Sequence, residues 1–418
     1  MRSYYFSRSD FPKSKSEIYG DIAAGLTVAI VALPLAIGFA VTTGMSAASG
    51  ITTAIIAGFL GALFGGSRYQ VSGPTGAMTV VLIPIVTQYG AAAIPALGVM
   101  AGAIVLIAAV LRAGSVINRV PWAVVEGFTV GIALVIALQQ IPLALDFPKG
   151  SGDRTYLVAW HTVQGAVSAG LNWNSIAAVV LTLLIKFNYP KIAHRFKFKV
   201  HVPASIVAIV VITAGSLAPQ LNLSTIGDIP RSIGKWSGNL IEFNALSHLI
   251  FPAILIALLA AIESLLSARV ADGMVHAQGN EKYNPNKELI GQGLATIGSS
   301  LFGGMPATGA IARTSVNVRN HAKSRVASMT HAVILLLIVL LFAPLVSAIP
   351  TAAIAGVLIG TSYRILNPAS IRESLKTTYA EASVLIITAA VTLLVDLIWG
   401  IGVGIVAHFV AKFFNKGR

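Results

Sequence analysis

Two charged residues within apolar stretches, Arg313 and Glu263, are the side chains of this chain that point most directly to chemistry. Arg313 lies one turn after Gly309, so a helix would place both on nearly the same face. In a membrane segment a cation costs from about 2.5 kcal/mol, so by default it belongs to a site or has a partner. Arg313 is therefore a candidate for attracting an anion. The alternative is that its stem extends toward the cytoplasm, beside Arg319 and Lys323.

Glu263 lies within the apolar run 249–266, where Ser264 and Ser267 are the nearby polar groups. A carboxylate in this setting suits a group that takes up a proton or Na⁺ during a transport cycle. The alternative is a static ion pair between Glu263 and Arg313 that fixes two helices. The sequence contains no His/Glu cluster with metal-ligand spacing and no convincing Ser/His/Asp arrangement. It therefore predicts no metal site, no cofactor and no hydrolase chemistry.

A pair of motifs that occurs twice would position these residues. Leu63-Phe64-Gly65-Gly66 and the following Pro74-Thr75-Gly76-Ala77 return as Leu301-Phe302-Gly303-Gly304 and Pro306-Ala307-Thr308-Gly309-Ala310. The offsets, 238 residues from position 63 to 301 and 233 from 75 to 308, are about half of the 418-residue chain. Segments interrupted by Gly and Pro at corresponding places in two halves predict broken helices at a transporter binding site. The alternative is that these residues only kink packed membrane helices.

Each second motif predicts a short extended segment that leads into a helix. As pure helix, the 16 steps from Gly303 to Arg319 would span about 24 Å, less than the ~30 Å of the hydrocarbon core. With about five extended steps of ~3.3 Å the segment reaches about 33 Å. In the first copy, Pro74 suits a first helical turn and Thr75 can satisfy exposed N–H groups. The two helix starts would meet near the midplane and offer free N–H groups to an anion.

The residues beside these helix starts fit an anion site. Most of them are small and would let an anion approach the backbone: Gly76, Ala77, Gly309 and Ala310. Phe39 follows Pro34, and an interrupted first helix would bring this aromatic residue to face the helix starts. Packing within the helix bundle is the alternative role of Phe39.

The composition predicts an all-α, polytopic membrane protein. Hydrophobic residues make up 56% of the chain and charged residues only 11%, with a mean hydropathy of +0.81, whereas soluble domains average about 25% charged residues. The chain contains no cysteine, which excludes disulfides and thiol nucleophiles. Residues 1–418 are predicted to form one transmembrane domain with a retained, uncleaved N-terminus. Fourteen spans are expected near residues 20–43, 46–66, 70–89, 92–112, 121–145, 174–188, 202–219, 246–268, 287–303, 304–318, 326–347, 350–363, 380–396 and 399–413.

The basic residues predict the orientation of these spans. The net charge of +14 does not indicate nucleic acid binding, because the cations flank the spans. Of 29 Lys and Arg, the predicted outer segments hold only Lys149, Arg154, Arg231 and Lys235, and the inner segments and rims hold the rest except Arg313. Both termini are therefore expected in the cytoplasm. Seven crossings separate spans 3 and 10, so the two repeats, near 17–222 and 244–414, are predicted to be inverted.

Several motifs, in order along the chain, resemble those of the SulP anion transporters, a family that includes animal anion exchangers and the hearing motor protein. The opening signature of that family resembles residues 21–40, DIAAGLTVAIVALPLAIGFA. Its half-helix starts are similar to Gly73-Pro74-Thr75 and to the segment TGAIART at 308–314. Its eighth and ninth spans are similar to IESLL at 262–266 and NKELIGQG at 286–293.

The resemblance implies fourteen spans in a seven-plus-seven inverted repeat, divided into a core and a gate domain, with an elevator-like movement of the core in a homodimer. By motif matching, Phe39 corresponds to a pocket aromatic residue. Arg313 corresponds to a cation found in many members, Glu263 to the coupling carboxylate, and Ser267 to its companion ligand if the coupling ion is Na⁺. The residues that would face the anion are Thr75, Gly76, Ala77, Thr308, Gly309 and Ala310.

Two departures from the family pattern shape the functional expectation. Leu35 follows Pro34 where many sulfate-transporting members have Gln. Bicarbonate and a C4-dicarboxylate are therefore expected as substrates on comparable terms with sulfate. The sequence also ends at Arg418, so no C-terminal STAS domain is expected. We expect a secondary active anion carrier of the plasma (inner) membrane, coupled to H⁺ or, alternatively, to Na⁺. An anion channel or exchanger, a nucleobase permease and a motor or structural protein are the other readings.

Overall fold

The computed structural model describes residues 10–117, 120–196, 202–217, 221–238, 246–277, 282–366, 368–395 and 397–415, which are predominantly helical. Some of the basic residues on which the predicted orientation depends lie outside these ranges: Arg2, Arg8, Arg119, Lys197, Lys199, Lys416 and Arg418.

The described parts of the chain contain eighteen α-helices, a short 3₁₀ helix (Ala91–Ala93) and two short strands. In the first half these are α1 (Lys15–Thr43), α2 (Ala47–Phe64), β1 (Ser72–Gly73), α3 (Gly76–Tyr89), α4 (Ile94–Val110), α5 (Gly114–Ile117), α6 (Trp122–Gln139), α7 (Ile141–Leu145), α8 (Thr155–Ala169), α9 (Trp173–Arg195) and α10 (Ala204–Ser216). In the second half they are α11 (Leu246–Met274), α12 (Pro285–Leu301), β2 (Thr308–Gly309), α13 (Ile311–Arg319), α14 (Val326–Ser347), α15 (Thr351–Leu366), α16 (Pro368–Thr377), α17 (Tyr379–Leu394) and α18 (Leu397–Asn415).

Many of these helices have the length and composition of membrane spans. Seven helical segments within the described ranges are long and apolar enough to cross a bilayer: Lys15–Thr43, Ala47–Phe64, Ala91–Val110, Trp122–Leu145, Trp173–Arg195, Ser247–Met274 and Val326–Ser347. Four shorter apolar helices accompany them: Gly76–Tyr89, Ala204–Ser216, Tyr379–Leu394 and Trp399–Phe413. Large apolar side chains such as Phe251 and Leu345 are exposed on the helices, which suits contact with lipid rather than water.

The helices differ from the predicted spans at several places. The predicted span 121–145 is divided at Gln140 into α6 and α7, with Pro142 in the first turn of α7, although the two together form the apolar segment Trp122–Leu145. Residues 155–169, predicted as part of an outer segment, form the helix α8. The helix α9 extends beyond the predicted span 174–188 and continues to Arg195.

The first helix is continuous, which corrects the expected interruption at Pro34. The helix α1 runs over 29 residues from Lys15 to Thr43 with Pro34 inside it. It begins at Ser14, whose hydroxyl accepts the backbone N–H of Glu17, and ends at Gly44 with a left-handed φ of 87°. Proline is tolerated inside membrane helices when neighbouring groups satisfy the freed carbonyl. Phe39 is therefore part of an unbroken helix.

The chain divides into two compact units, and each is built from two separate segments. Unit 1 comprises Met1–Asn118 and Ile226–Ala348, and unit 2 comprises Arg119–Thr225 and Ile349–Arg418. In unit 1, α12 packs against α4 and α2, and α1 packs against α14. In unit 2, α17 packs against α6 and α18, and α9 packs against α15 and α10. Both copies of the repeated motif lie in unit 1.

Unit 2 contains a buried lysine that the sequence analysis did not single out. The Nζ atom of Lys186, on α9, donates to the carbonyl of Val357 at 2.6 Å and to the hydroxyl of Thr361 at 2.7 Å, both on α15. Gly360 leaves the space that the lysine stem occupies. These bonds use two of the three N–H donors of the ammonium group and join two helices of unit 2, and no carboxylate in the described part of the chain pairs with it.

Candidate functional site

Two strand-to-helix transitions lie side by side in unit 1. The strands β1 and β2 pair antiparallel, with Ser72 opposite Gly309 and Gly73 opposite Thr308. Each strand is followed within a few residues by a helix, α3 after β1 and α13 after β2. The hydroxyl oxygens of Thr75, which immediately precedes α3, and of Thr308 in β2 are 3.1 Å apart. The N-termini of the two helices are therefore close together.

The first turns of both helices offer backbone N–H groups. Thr75 is the N-cap of α3, and its hydroxyl accepts the N–H of Met78 at 3.3 Å. Among the described residues, the N–H groups of Gly76 and Ala77 have no hydrogen-bond partner, and neither do those of Ile311 and Ala312 at the start of α13. Such groups carry partial positive charge and bind anions.

The structure amends the predicted contacts of the second helix start. The N–H of Gly309 donates to the hydroxyl of Ser264 at 3.0 Å, and the N–H of Ala310 donates to the carbonyl of Val71 at 3.0 Å. These two N–H groups therefore have hydrogen-bond acceptors within the protein and are not free to bind an anion. A Cβ atom at position 309 would overlap the side chain of Gln70, so the small size of Gly309 makes room for Gln70 rather than for an approaching anion.

Glu263 lies at the meeting point of the two motif copies. Its Oε2 atom accepts hydrogen bonds from Thr75 Oγ1 at 2.9 Å and from Thr308 Oγ1 at 2.6 Å. The two hydroxyl oxygens are themselves 3.1 Å apart. Three oxygen atoms thus form a closed triangle of hydrogen-bond lengths that joins α11, α3 and β2.

The serines that follow Glu263 on α11 form hydrogen bonds to β2 and α13. Ser264 accepts the N–H of Gly309. The hydroxyl of Ser267 donates to Thr314 Oγ1 at 3.0 Å, and Thr314 Oγ1 also accepts the N–H of Val71 at 3.1 Å. Ser267 therefore lies on the same face of α11 as Glu263, but its hydrogen bond is to α13.

Arg313 extends across to the first motif copy. Its Nη2 atom donates to the carbonyl of Pro74 at 3.0 Å, and its Nη1 atom lies where a Cβ of Gly73 would be. Only 1% of the residue is exposed, so the side chain does not extend into water. The Nε and Nη1 atoms are buried without a hydrogen-bond partner in the described part of the chain.

The ion pair considered between Glu263 and Arg313 is not present. Within the described residues, Glu263 bonds to the two threonine hydroxyls, whereas Arg313 bonds to a backbone carbonyl. The guanidinium therefore has no carboxylate partner there. A buried cation without an ionic partner is the arrangement expected of an anion site.

Phe39 lies close to these residues through its backbone. Thr79 Oγ1 is 3.4 Å from the carbonyl oxygen of Phe39, and Thr79 follows Thr75 by one turn of α3. Phe39 is 7% exposed and therefore mostly buried in α1. The continuous helix α1 thus places Phe39 next to α3 without any break at Pro34.

One polar face of α12 holds both motif copies, which the sequence analysis did not foresee. Glu288 accepts the N–H groups of Gly66 and Ser67 at 2.8 and 2.7 Å, and the side-chain amide of Gln70 at 2.6 Å. One turn later, Gln292 accepts the hydroxyl of Ser72 at 3.0 Å.

The same amide of Gln292 also bonds to the second copy. Its Nε2 atom donates to the carbonyl of Ala307 at 2.7 Å, which the hydroxyl of Thr296 also reaches at 3.1 Å. Ser299 donates to the carbonyl of Met305 at 2.9 Å. The spacing of these α12 residues, 288, 292, 296 and 299, is that of one helix face. Such a polar stripe in the sequence is the signal that would have indicated them.

A second unforeseen group of contacts surrounds the segment that leads to β1. Arg325 donates to the carbonyls of Ala62 and Leu63 at the end of α2, at 2.8 and 3.0 Å, and pairs with Asp10 at 3.1 Å. Asp10 also lies 3.6 Å from Arg68. These contacts satisfy the C-terminal carbonyls of α2 and fix the chain before β1.

The residues in the described ranges include no group of three or more His, Cys, Asp or Glu arranged to hold a metal ion. The polar groups around the two helix starts include threonine and serine hydroxyls, backbone amides, the carboxyl of Glu263 and the guanidinium of Arg313. This combination suits the binding of a small anion next to a group that can exchange a proton.

Comparison with known proteins identifies the family. The model of the sulfate permease family matches residues 18–388. YvdB of Bacillus subtilis, which carries a provisional name as a sulfate transporter, is 35% identical over 395 residues that cover 93% of this chain and 72% of YvdB. The bicarbonate transporter BicA of Picosynechococcus sp. is 32% identical over 418 residues, covering 96% of this chain and 70% of BicA.

The fold agrees with this comparison. The solved transmembrane domain of a cyanobacterium bicarbonate transporter BicA has a TM-score of 0.81 and 25% sequence identity to this chain, covering 94% of this chain and 97% of that domain. The resemblance to SulP transporters inferred from the motifs is thus confirmed. The chain belongs to the sulfate permease family of membrane anion transporters, and it is not an enzyme.

Proposed function

We propose that this protein is a secondary active transporter of a small oxyanion, with sulfate and bicarbonate ahead of C4-dicarboxylates, and that it is coupled to protons. The observation that carries the proposal is the meeting of two helix N-termini beside the buried guanidinium of Arg313. Free N–H groups at Gly76, Ala77, Ile311 and Ala312 would bind the anion. The relatives named for sulfate and bicarbonate transport support this class of substrate.

The oxygen triangle around Glu263 supports a proton as the coupling ion. If Glu263 is ionised, both threonine hydroxyls donate to Oε2, and no proton remains for the 3.1 Å contact between the two hydroxyl oxygens. A protonated Glu263 would donate to one threonine, whose own hydroxyl would then donate to the other, so that each of the three contacts carries one proton. We therefore assign Glu263 as the proton-carrying group, with Thr75 and Thr308 linking its protonation to both helix starts.

A Na⁺-coupled bicarbonate symporter is the second candidate. The similarity to a bicarbonate transporter supports the substrate, and the position of Ser267 one turn from Glu263 supports a set of Na⁺ ligands. In this reading the carboxylate, the two threonine hydroxyls and Ser267 would supply oxygen ligands to Na⁺. The Ser267 hydroxyl would then have to leave Thr314, to which it is bonded at 3.0 Å. This required rearrangement is why we place Na⁺ second.

We further propose a seven-plus-seven inverted repeat of fourteen spans. The antiparallel pairing of β1 with β2 supports inversion, because equivalent motifs enter the pair in opposite directions. Because unit 1 contains both motif copies, we propose unit 1 as the moving core of an elevator and unit 2 as the gate. A homodimer in the plasma (inner) membrane, with both termini in the cytoplasm, completes the proposal.

The test is an uptake assay in proteoliposomes with purified protein. Sulfate, bicarbonate, fumarate, chloride and uracil are each offered at two external pH values, with and without a Na⁺ gradient. We expect saturable, uphill uptake of one oxyanion driven by an inward proton gradient. Uptake that requires Na⁺ at both pH values would establish the second candidate. Flux that never exceeds equilibrium under any gradient would indicate a channel or exchanger, and uptake of uracil alone would overturn the anion assignment.

A further inference from the structure

The helix α8 in unit 2 carries an exposed face of aromatic and apolar side chains. Tyr156, Trp160 and Val167 are 38%, 59% and 61% exposed. Their spacing of four and seven residues places them on one side of the helix, whereas Ala159 and Ala166 are buried on another side. Burial of a large apolar side chain is favourable by about 1.5–3 kcal/mol, so a face of this kind is typical of an interaction surface.

The N-terminal end of α8 is joined to the end of another helix of unit 2. Arg154, the residue before α8, donates from Nη1 to the carbonyls of Leu394 and Val395 at 2.7 and 2.9 Å. Leu394 is the last residue of α17, so the guanidinium caps that helix. The start of α8 thus lies level with the C-terminal end of α17.

The helices α17 and α6 run in the same direction. A Cβ atom at Gly127 would contact Leu385, and one at Gly131, a turn later on α6, would contact Thr392, further along α17. Both helices therefore approach the same boundary of the bilayer with their C-terminal ends. The short helix α7 follows α6 directly and completes the same apolar segment, so it ends at this boundary too.

The C-terminal end of α8 is joined to the end of α7. Asn172, the N-cap of α9, follows the last residue of α8 by three positions, and its Nδ2 atom donates to Asp146 at the end of α7 at 3.0 Å. The hydroxyl of Ser175 donates to the carbonyl of Ala144 at 2.9 Å. These bonds place the end of α7, the end of α8 and the start of α9 together.

Both ends of α8 therefore lie at one boundary of the bilayer. As a helix of 15 residues, α8 is about 22 Å long. A helix of this length that crossed the bilayer would have its ends at clearly different depths, because the hydrocarbon core is about 30 Å thick. The helix α8 thus runs along the boundary, which the distribution of basic residues predicts to be the outer one.

The neighbouring span indicates that lipid reaches this part of the molecule. The helix α9 begins at Trp173, which is 70% exposed, and continues with exposed Val180, Leu181 and Leu184. Such a surface faces acyl chains in a bilayer, and Trp and Tyr concentrate at the level of the headgroups. The aromatic residues of α8 are therefore of the type expected where α9 leaves the hydrocarbon core.

We propose that α8 is an interfacial helix whose exposed face, Tyr156, Trp160 and Val167, inserts into the headgroup region of the bilayer and holds unit 2 at a fixed depth. A second copy of the chain is the competing occupant of this face. Three large side chains fall far short of the roughly 20–30 residues that each partner contributes to a stable interface, which favours lipid. The inference is independent of the anion and of the coupling ion.

Spin labels test the position of this face, because the chain contains no cysteine and each label can be attached at one introduced Cys. Trp160→Cys and Val167→Cys are labelled in the full chain, reconstituted in phosphatidylcholine vesicles, and probed with oxygen, which enters lipid, and with a nickel chelate, which stays in water. Asp153→Cys, in the exposed loop before α8, is the water control, and Leu184→Cys on α9 is the lipid control. We expect the oxygen-to-nickel accessibility at both α8 positions to lie between those of the two controls.

Two outcomes of this experiment overturn the proposal. An accessibility ratio equal to that of Asp153→Cys would show that the face lies in water. Shielding from both reagents, together with dipolar broadening between labels, would show that a second copy of the chain covers the face.

A second measurement avoids the label. Tryptophan fluorescence of the wild type and of Trp160→Phe, which keeps an aromatic ring, is compared in vesicles whose acyl chains carry bromine either near the headgroup or near the methyl end. We expect the emission that Trp160→Phe lacks to be quenched more strongly by bromine near the headgroup. Equal quenching by both lipids, or none, contradicts the proposal, and either result leaves the proposed anion transport untouched.

Discussion

The hydroxyl oxygens of Thr75 and Thr308, which are 233 residues apart in sequence, lie 3.1 Å from each other. Both also bond to the same oxygen of Glu263. These threonines occupy corresponding places in the two copies of the repeated motif, so equivalent residues of the two copies are in contact. One carboxyl group is thereby connected to both helix starts, which supports the proposed coupling of an anion to a proton.

Replacement of Glu263 by Gln should uncouple transport from the pH gradient. The amide can still accept from Thr75 and Thr308 but cannot gain or lose a proton at neutral pH. We expect proton-driven accumulation to fall to a ratio of about 1, while downhill flux remains within about tenfold of the wild type. Radiotracer uptake with an imposed pH gradient measures both. Glu17→Gln, at the exposed start of α1, is the control, and intact accumulation in Glu263→Gln would remove the assignment.

Replacement of Arg313 should reduce anion affinity. Arg313→Ala removes the buried charge, and we expect KM to rise about tenfold or more, because hydrogen bonds to charged groups contribute about 1.5–3 kcal/mol. Arg313→Lys keeps the charge but loses the planar set of donors, so an intermediate value is expected. Initial uptake rates over a range of anion concentrations provide KM. The exposed Arg319, at the end of α13, supplies the control Arg319→Ala, and equal KM values for both alanine variants would contradict the prediction.

Addition of one methyl group at Gly73 should displace Arg313. The new Cβ would overlap Nη1 of the guanidinium, and overpacking of this kind costs about 1–3 kcal/mol. We expect Gly73→Ala to lower the melting temperature and to raise KM toward the value of Arg313→Ala. Gly20→Ala, where nothing lies within 4 Å of the added atom, should do neither. A normal KM in Gly73→Ala would show that the guanidinium position is unimportant for the anion.

Loss of the amide of Gln292 should loosen both strand-to-helix transitions. Gln292→Leu keeps the approximate volume but leaves the hydroxyl of Ser72 without its acceptor and removes one donor to Ala307. The expected cost is about 1–3 kcal/mol for the buried group left unsatisfied. Thermal unfolding and uptake should both decline, whereas the exposed Gln88→Leu at the end of α3 should behave like the wild type. Unaltered unfolding of Gln292→Leu would remove this residue from the scaffold.

The amino-acid sequence by itself determined the class of the protein. Within a bilayer there is no water to bond to the backbone. A long, continuous apolar run therefore forms a helix, in which its N–H and C=O groups bond to each other. The spacing of Gly and Pro in two matched copies indicated where extended backbone would enter a helix, and the structure has β1 and β2 at those places. Arg313 and Glu263 were recognisable because ionisable residues are rare in apolar segments.

Only the tertiary structure decided which groups these residues contact. Gln292 bonds to Ser72 over 220 residues, and Arg313 bonds to Pro74 over 239 residues. No local pattern encodes a partner at such a distance. The tertiary structure also shows that α1 continues past Pro34 without a break and that Glu263 bonds to threonines rather than to Arg313. The physical reason is that periodicity and composition specify each segment alone, whereas a buried polar group takes whichever partner the packing of distant segments brings within reach.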